Sequence, residues 1–305
     1  MRLDDVGFSE NVRDQRGQSF GGGGFGGGGG MFGMLFGLVL SRFGIGGVLI
    51  LALGYCAFTM IGGGTGGGTG AVSPQQQTAA KSGATGATAA IRACQVDEVS
   101  KFSCRVLKST EDAWTEIFRA RGEQYRAPLF TFYARSGQSG CGAAQAAMGP
   151  FYCPTDNSIY LDTSFFQELQ TRFRAAGDFA QAYVIAHEVG HHIQFLTGVL
   201  DNARRQQARL SPAEGNQVQV RVELQADCYA GVWAGRNRDR LEPGDLEEGL
   251  RAAEAIGDDT LQRQSQGRVA PESFTHGSAA QRMAWLRRGL ESGDPAVCDT
   301  FSARI

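Results

Sequence analysis

One short stretch limits the fold more than any other. Residues 182–198, AYVIAHEVGHHIQFLTG, carry His187, Glu188 and His191 in the order H-E-x-x-H, and three of the chain's four histidines fall inside it. On a helix, residues four apart stand one above the other on a single face, so the imidazoles of His187 and His191 can meet on one metal ion. Glu188 projects beside them, placed to act as a base on a water that the ion holds. The surrounding helix is apolar, through Ala182, Val184, Ile185, Val189 and Ile193, with Gly177-Asp178 as a start signal and Gly198 as a stop. Polar side chains on so apolar a helix are costly without partners, and a metal supplies one. His192 points off the ligand face, as a supporting or surface group.

A third ligand is needed, and His276 is the only histidine outside the motif. An acidic residue on a following helix is the better place to look. Residues 220–235, VRVELQADCYAGVWAG, set Glu223 and Asp227 four apart among Val220, Val222, Leu224, Ala226, Ala230 and Val232. Glu223 is read as the ligand. Asp227, one turn on, is read as the acceptor that fixes the tautomer of a ligating imidazole. Two histidines, one carboxylate and an open fourth position form a ligand set of catalytic zinc.

HEVGHH followed by ELQADCYAG, with GPFYCP upstream and SFTHGS downstream, resembles the bacterial family of neutral zinc metallopeptidases, membrane-anchored proteins of the zincin type. The resemblance covers roughly residues 92–302. It implies an α+β, zincin-like domain, mainly helical with a small sheet, one Zn2+ ion and peptidase activity on a peptide or protein substrate. It also implies that the strand containing Met148, Gly149, Phe151 and Tyr152 lies at the sheet edge above the metal and pairs with substrate main chain. An internal strand is the alternative, and Pro150 favours the edge. By the same likeness His276, and after it Arg282, would stabilise the oxyanion of the tetrahedral intermediate. The plainer reading is that His276 caps or packs at a helix start.

The rest of the chain divides by composition. Of the 44 glycines, 24 lie in the first 70 positions. Residues 1–30, with mixed charge and then a glycine run, read as a disordered cytoplasmic tail. GQSFGGGGF lacks the strand, the Lys-Ser/Thr and the helix of a phosphate-binding loop. A net charge of −2 gives no reason to expect nucleic acid. Residues 31–61 read as a transmembrane segment with an uncharged core at 43–61, and residues 62–91 as a flexible Gly/Ser/Thr/Ala/Gln linker. Arg2, Arg13, Arg16 and Arg42 precede the span and Lys81 is the first cation after it, so the positive-inside rule keeps the N-terminus cytoplasmic. The catalytic domain, 92–305, would then lie outside the cytoplasm, in the periplasm of a Gram-negative cell.

Within that domain, DEVSKFSCRVLKST and TEDAWTEIFRARG read as two helices, the second capped by Thr110. LFTFYA reads as a strand, GCGAAQAAMGPFYCPTDNSIYLD as two strands around a turn, and Ser211 to Glu214 as a capping box. Cys56 falls in the span, leaving six cysteines on the outer side, an even number suited to an oxidising space. Of the pairings open to six cysteines, the favoured set is Cys94 with Cys104, Cys141 with Cys153 and Cys228 with Cys298. The expectation is a membrane-anchored zinc endopeptidase with zinc on His187, His191 and Glu223 and its bound water activated by Glu188. The alternative is a catalytically silent zincin-like module that binds peptides or assembles with membrane partners.

Overall fold

The runs LFTFY and SIYLD are rich in the aromatic and β-branched residues that suit a pleated surface packed on both faces, and they form the centre of the sheet. The computed structural model describes residues 1–18, 84–145 and 148–305. In chain order the elements are β1 (Val12–Asp14), α1 (Ala84–Cys94), α2 (Glu98–Ala120), β2 (Leu129–Tyr133), β3 (Ser136–Ser139), β4 (Gly142–Gln145), β5 (Phe151–Cys153) and β6 (Ser158–Asp162). Seven helices follow: α3 (Phe165–Thr171), α4 (Asp178–Leu196), α5 (Val199–Gln207), α6 (Pro212–Arg236), α7 (Asp245–Ala255), α8 (Asp258–Gln266) and α9 (Ala279–Ser292).

The main sheet has the order β1-β2-β6-β5. The first three strands are parallel and β5 runs antiparallel along the edge. Phe130, Phe132, Ile159 and Leu161 point into the main core, which they share with Trp114, Phe179 and Trp233. Tyr133 and Tyr160 face the other way into a small cluster with Cys153. Helices α4 and α6 are buried on almost every side, the pattern of helices running through a core.

Two close crossings set the helix arrangement. A Cβ at Gly190 of α4 would sit 2.9 Å from the carbonyl oxygen of Ala226 in α6, so glycine is what lets the two helices touch there. At the second crossing, a Cβ on Gly231 of α6 would strike the Leu286 carbonyl of α9, and one on Gly289 would strike that of Cys228. Disulfides Cys94–Cys104, Cys141–Cys153 and Cys228–Cys298 join the pairs favoured from the sequence, with Cα separations of 5.8, 5.8 and 5.6 Å. The last ties the C-terminal segment to α6.

Several sequence expectations are corrected. Residues 1–18, read as the start of a disordered tail, are ordered: β1 pairs with β2, Val12 opposite Phe130 and Asp14 opposite Phe132. Composition judges whether a segment can bury its own surface, whereas this one borrows the surface of the domain. Helix α1 begins at Ala84, inside the stretch 62–91 read as linker, and its Ala90 and Ala93 are buried. The two helices expected across residues 97–122 are one, α2, because Thr110 does not cap. Its Oγ1 donates back to the Leu107 carbonyl at 2.6 Å and the buried stripe continues through Ala113, Trp114 and Ile117. The strand expected from Met148 starts only at Phe151, since Gly149 takes a φ of +70° and Pro150 follows. The β3–β4 hairpin was not foreseen. Residues 31–61, read as a transmembrane segment, the part of the expected tail from residue 19 and the part of the expected linker up to residue 83 lie outside the described residues. No helix among the described residues is long and apolar enough to cross a membrane.

Candidate metal centre

The Gly190–Ala226 crossing brings one face of α4 against one face of α6, and His187, His191 and Glu223 stand on those faces. Nε2 of His187 lies 3.3 Å from Oε2 of Glu223, and Nε2 of His191 lies 3.6 Å from the same oxygen. One donor atom from each of the three residues falls within 4.8 Å of the others. Glu223 and His187 are buried, and His191 is nearly so.

Each of the two imidazoles and the carboxylate is held from behind. Asp227 Oδ1 takes Nδ1 of His187 at 2.8 Å, and Gln194 Oε1 takes Nδ1 of His191 at 2.9 Å. Acceptors on both Nδ1 atoms keep the protons there, so in neutral imidazoles the lone pairs sit on Nε2, the two atoms that converge on Glu223. Gln219 donates to the other oxygen, Oε1, at 2.9 Å and leaves Oε2 facing the imidazoles. Two lone-pair nitrogens and a carboxylate oxygen aimed at a common point in a buried pocket fit a divalent zinc ion.

The electrostatics call for positive charge between these groups. Burial works against the imidazolium forms, but Asp227 and Glu223 outweigh it at His187, raising its pKa to about 10, and Glu223 outweighs it at His191, raising that pKa too. A zinc ion would supply that charge in place of the protons. Burial opposes the charge of Glu223, but the imidazoles of His191 and His187 outweigh it and hold the carboxyl well below the usual range. Burial also acts on Asp227, where Arg282 and His187 overcome it and pull the carboxyl down to about 2. Glu188 differs: burial pushes its carboxyl up, while the neighbouring imidazoles and a hydrogen bond from the Tyr152 main chain pull the other way. A carboxyl next to the ligands, pushed toward neutrality and touched by the edge strand, is suited to carry a proton.

The supporting groups are where the structure adds most. Arg282, read from sequence as a second candidate for the oxyanion, does not play that part. It is buried and grips Asp227 through Nε to Oδ2 and Nη2 to Oδ1, both at 2.9 Å, and Tyr183 donates to the same carboxylate at 2.6 Å. Gln194 also donates to the Val222 carbonyl at 2.7 Å, and Gln225 donates to that of Cys298 at 2.9 Å. Tyr183 and Gln194, unremarked in the sequence, stand four residues before His187 and three after His191, helical spacings that could have marked them. His192 donates through Nε2 to the Arg126 carbonyl at 2.6 Å and accepts from the Tyr152 hydroxyl through Nδ1 at 3.1 Å. Burial lowers its pKa to about 4, so it is a neutral clasp between α4 and β5.

His276 sits just before α9. Its Nδ1 lies 3.3 Å from Asp258 Oδ1, while Oδ2 of Asp258 accepts the main-chain N–H groups of Thr275, His276 and Gly277. Asp258 thus shapes the whole turn, and the charge of His276 reaches Glu223. Of the residues expected on the substrate strand, Phe151 and Tyr152 are in edge strand β5, whereas Met148 and Gly149 precede it.

Comparison with known proteins points the same way. Residues 1–301 match the model of the family described as "Putative neutral zinc metallopeptidase". The protein named "Uncharacterized protein YpfJ" of Escherichia coli strain K12 is 45% identical over 303 residues, covering 97% of each chain. "Uncharacterized protein Rv2575" of Mycobacterium tuberculosis strain H37Rv is 45% identical over 213 residues, 66% of this chain and 71% of that one. No solved structure matches. With the family model running across nearly its whole length, the chain belongs to the neutral zinc metallopeptidase family.

Proposed function

We propose that the protein is a zinc-dependent endopeptidase whose ion is held by His187, His191 and Glu223. The observation that carries this reading is the convergence of three backed donor atoms within 4.8 Å, with Glu188 on the same helix turn. Zinc in that position would polarise a substrate carbonyl and lower the pKa of a water to near 7. The rest is done by the chain. Glu188 takes a proton from the attacking water and returns it to the leaving amine. Asp227 and Gln194 hold the imidazoles in the tautomer that keeps Nε2 free. The edge strand β5 offers its outer main-chain groups to an extended peptide, and its Tyr152 connects that strand to Glu188 and His192. His276, on the turn fixed by Asp258, is the group proposed to stabilise charge on the carbonyl oxygen.

Three disulfides support a working place in an oxidising compartment, and the apolar stretch 31–61 supports attachment to a membrane. The deciding experiment is metal analysis of the purified full-length protein together with a peptide-library digest run with and without chelator. Stoichiometric zinc and chelator-sensitive cleavage are expected. Zinc with no cleavage of any peptide would instead make the protein a silent peptide-binding module.

A further inference from the structure

The arginines of residues 1–18 suggest a cytoplasmic anchor across the membrane from the domain, yet the structure gives this segment other work. The Phe130 N–H of β2 donates to the Asn11 carbonyl at 2.8 Å, and β1 then covers an edge whose Phe130 and Phe132 are fully buried. Leu3 and Val12 join the main core. The buried carboxylate of Glu111 in α2 accepts from Ser9 Oγ at 2.6 Å and Asn11 Nδ2 at 2.9 Å. Arg16 is a half-buried, paired group rather than a free cation: it pairs with Asp14 at 2.7 Å and donates to Ser100 Oγ at 2.7 Å. It also donates to the Ala93 carbonyl at 2.9 Å and lies over the ring of Phe132. Without the segment, β2 would present an open, apolar edge and Glu111 would lose two donors.

We infer that residues 1–18 are a built-in strand of the metal-binding domain, and that the N-terminal segment and the metal centre therefore occupy one compartment. The bond from Arg16 to the Ala93 carbonyl also ties the segment to the C-terminal end of α1. Any membrane passage between residues 18 and 84 must then be even in number, two crossings or none. The positive-inside rule, read on Arg2, Arg13, Arg16 and Arg42, gives the opposite placement of this segment; of these arginines, Arg16 is paired within the domain. With the three disulfides, the shared compartment is an oxidising one.

The test is cysteine labelling of the full-length protein in its native cells. In a Cys56→Ser background, which leaves only the six disulfide-bonded cysteines, two reporters are made separately at exposed positions, Glu10→Cys and Glu272→Cys. Each is treated with a membrane-impermeant maleimide before and after permeabilisation. Matching behaviour of the two reporters is expected, both labelled before permeabilisation. Labelling of one before and of the other only afterwards would place the N-terminal segment across a membrane from the domain and overturn the inference. Labelling of both only afterwards would uphold the shared compartment and overturn its oxidising character.

Discussion

Arg282 holds Asp227 by both carboxylate oxygens, at 2.9 Å each, and Asp227 in turn holds Nδ1 of His187. The ligand set on two helices thus depends on a third, α9, that contributes no ligand. Arg282→Lys cannot reproduce the two-pronged grip. It is expected to weaken zinc affinity by about 10–100-fold and to lower stability by less than the about 3–5 kcal/mol that removing one partner of a buried pair costs, because lysine keeps the charge. Chelator competition and thermal unfolding measure the two effects. Zinc affinity equal to wild type would show that the clamp is structural only.

Glu188→Gln keeps the shape of the side chain and removes its ability to carry a proton. Zinc content should be unchanged and peptide cleavage should fall by about 10²–10⁴-fold. Glu223→Ala should instead lose the ion itself. If the Glu188→Gln protein cleaved as wild type does, the acid–base assignment would fail.

The crossing at Gly190 makes a sharp stability prediction. Alanine usually improves a helix interior by roughly 0.5–1 kcal/mol, but at Gly190 the new Cβ meets main chain of Ala226 at 2.9 and 3.0 Å, which cannot swing aside. Overpacking should win, costing about 1–3 kcal/mol and spreading the ligand faces. Gly215→Ala in α6, where the nearest atom is 4.0 Å away, should be neutral or stabilising. The denaturant midpoint of Gly190→Ala should fall, and that of Gly215→Ala should hold or rise.

The N-terminus predicts an alkaline limb in stability. Burial works against the Met1 ammonium, but hydrogen bonds to Asp178, Glu242 and Asp245 outweigh it and raise the pKa from 8.0 to about 10. A cation whose folded pKa exceeds its unfolded one stabilises fully below the lower value and loses that contribution as pH rises through the upper. The window is therefore pH 8 to about 10. The stability gap between wild type and Asp245→Asn should be widest near pH 7 and close above pH 10. A constant gap across that range would mean that the ammonium is not what Asp245 stabilises.

The Cys228–Cys298 disulfide spans 70 residues of sequence and also positions the carbonyl that receives Gln225. Replacing both cysteines by serine should cost about 2–4 kcal/mol and loosen the ion. Unfolding and zinc release, followed on the same sample, should shift together.

The local chemistry was legible in the sequence because helical periodicity is local. Four-residue spacing alone puts His187 above His191 and Glu223 above Asp227, and the apolar neighbours announce that these faces are buried. The capping box at Ser211 and Glu214 is equally local, and it forms as the sequence suggests. Only the tertiary structure could decide which residues stand behind the ligands. Arg282 meets Asp227 across 55 positions, through a helix crossing that depends on the absence of a Cβ at Gly231 and Gly289, a fact about two surfaces at once. The first 18 residues make the same point most strongly. Read alone they have too little apolar surface to order, and they fold because the edge of β2, more than a hundred residues later, supplies the missing half of their hydrogen bonds and core.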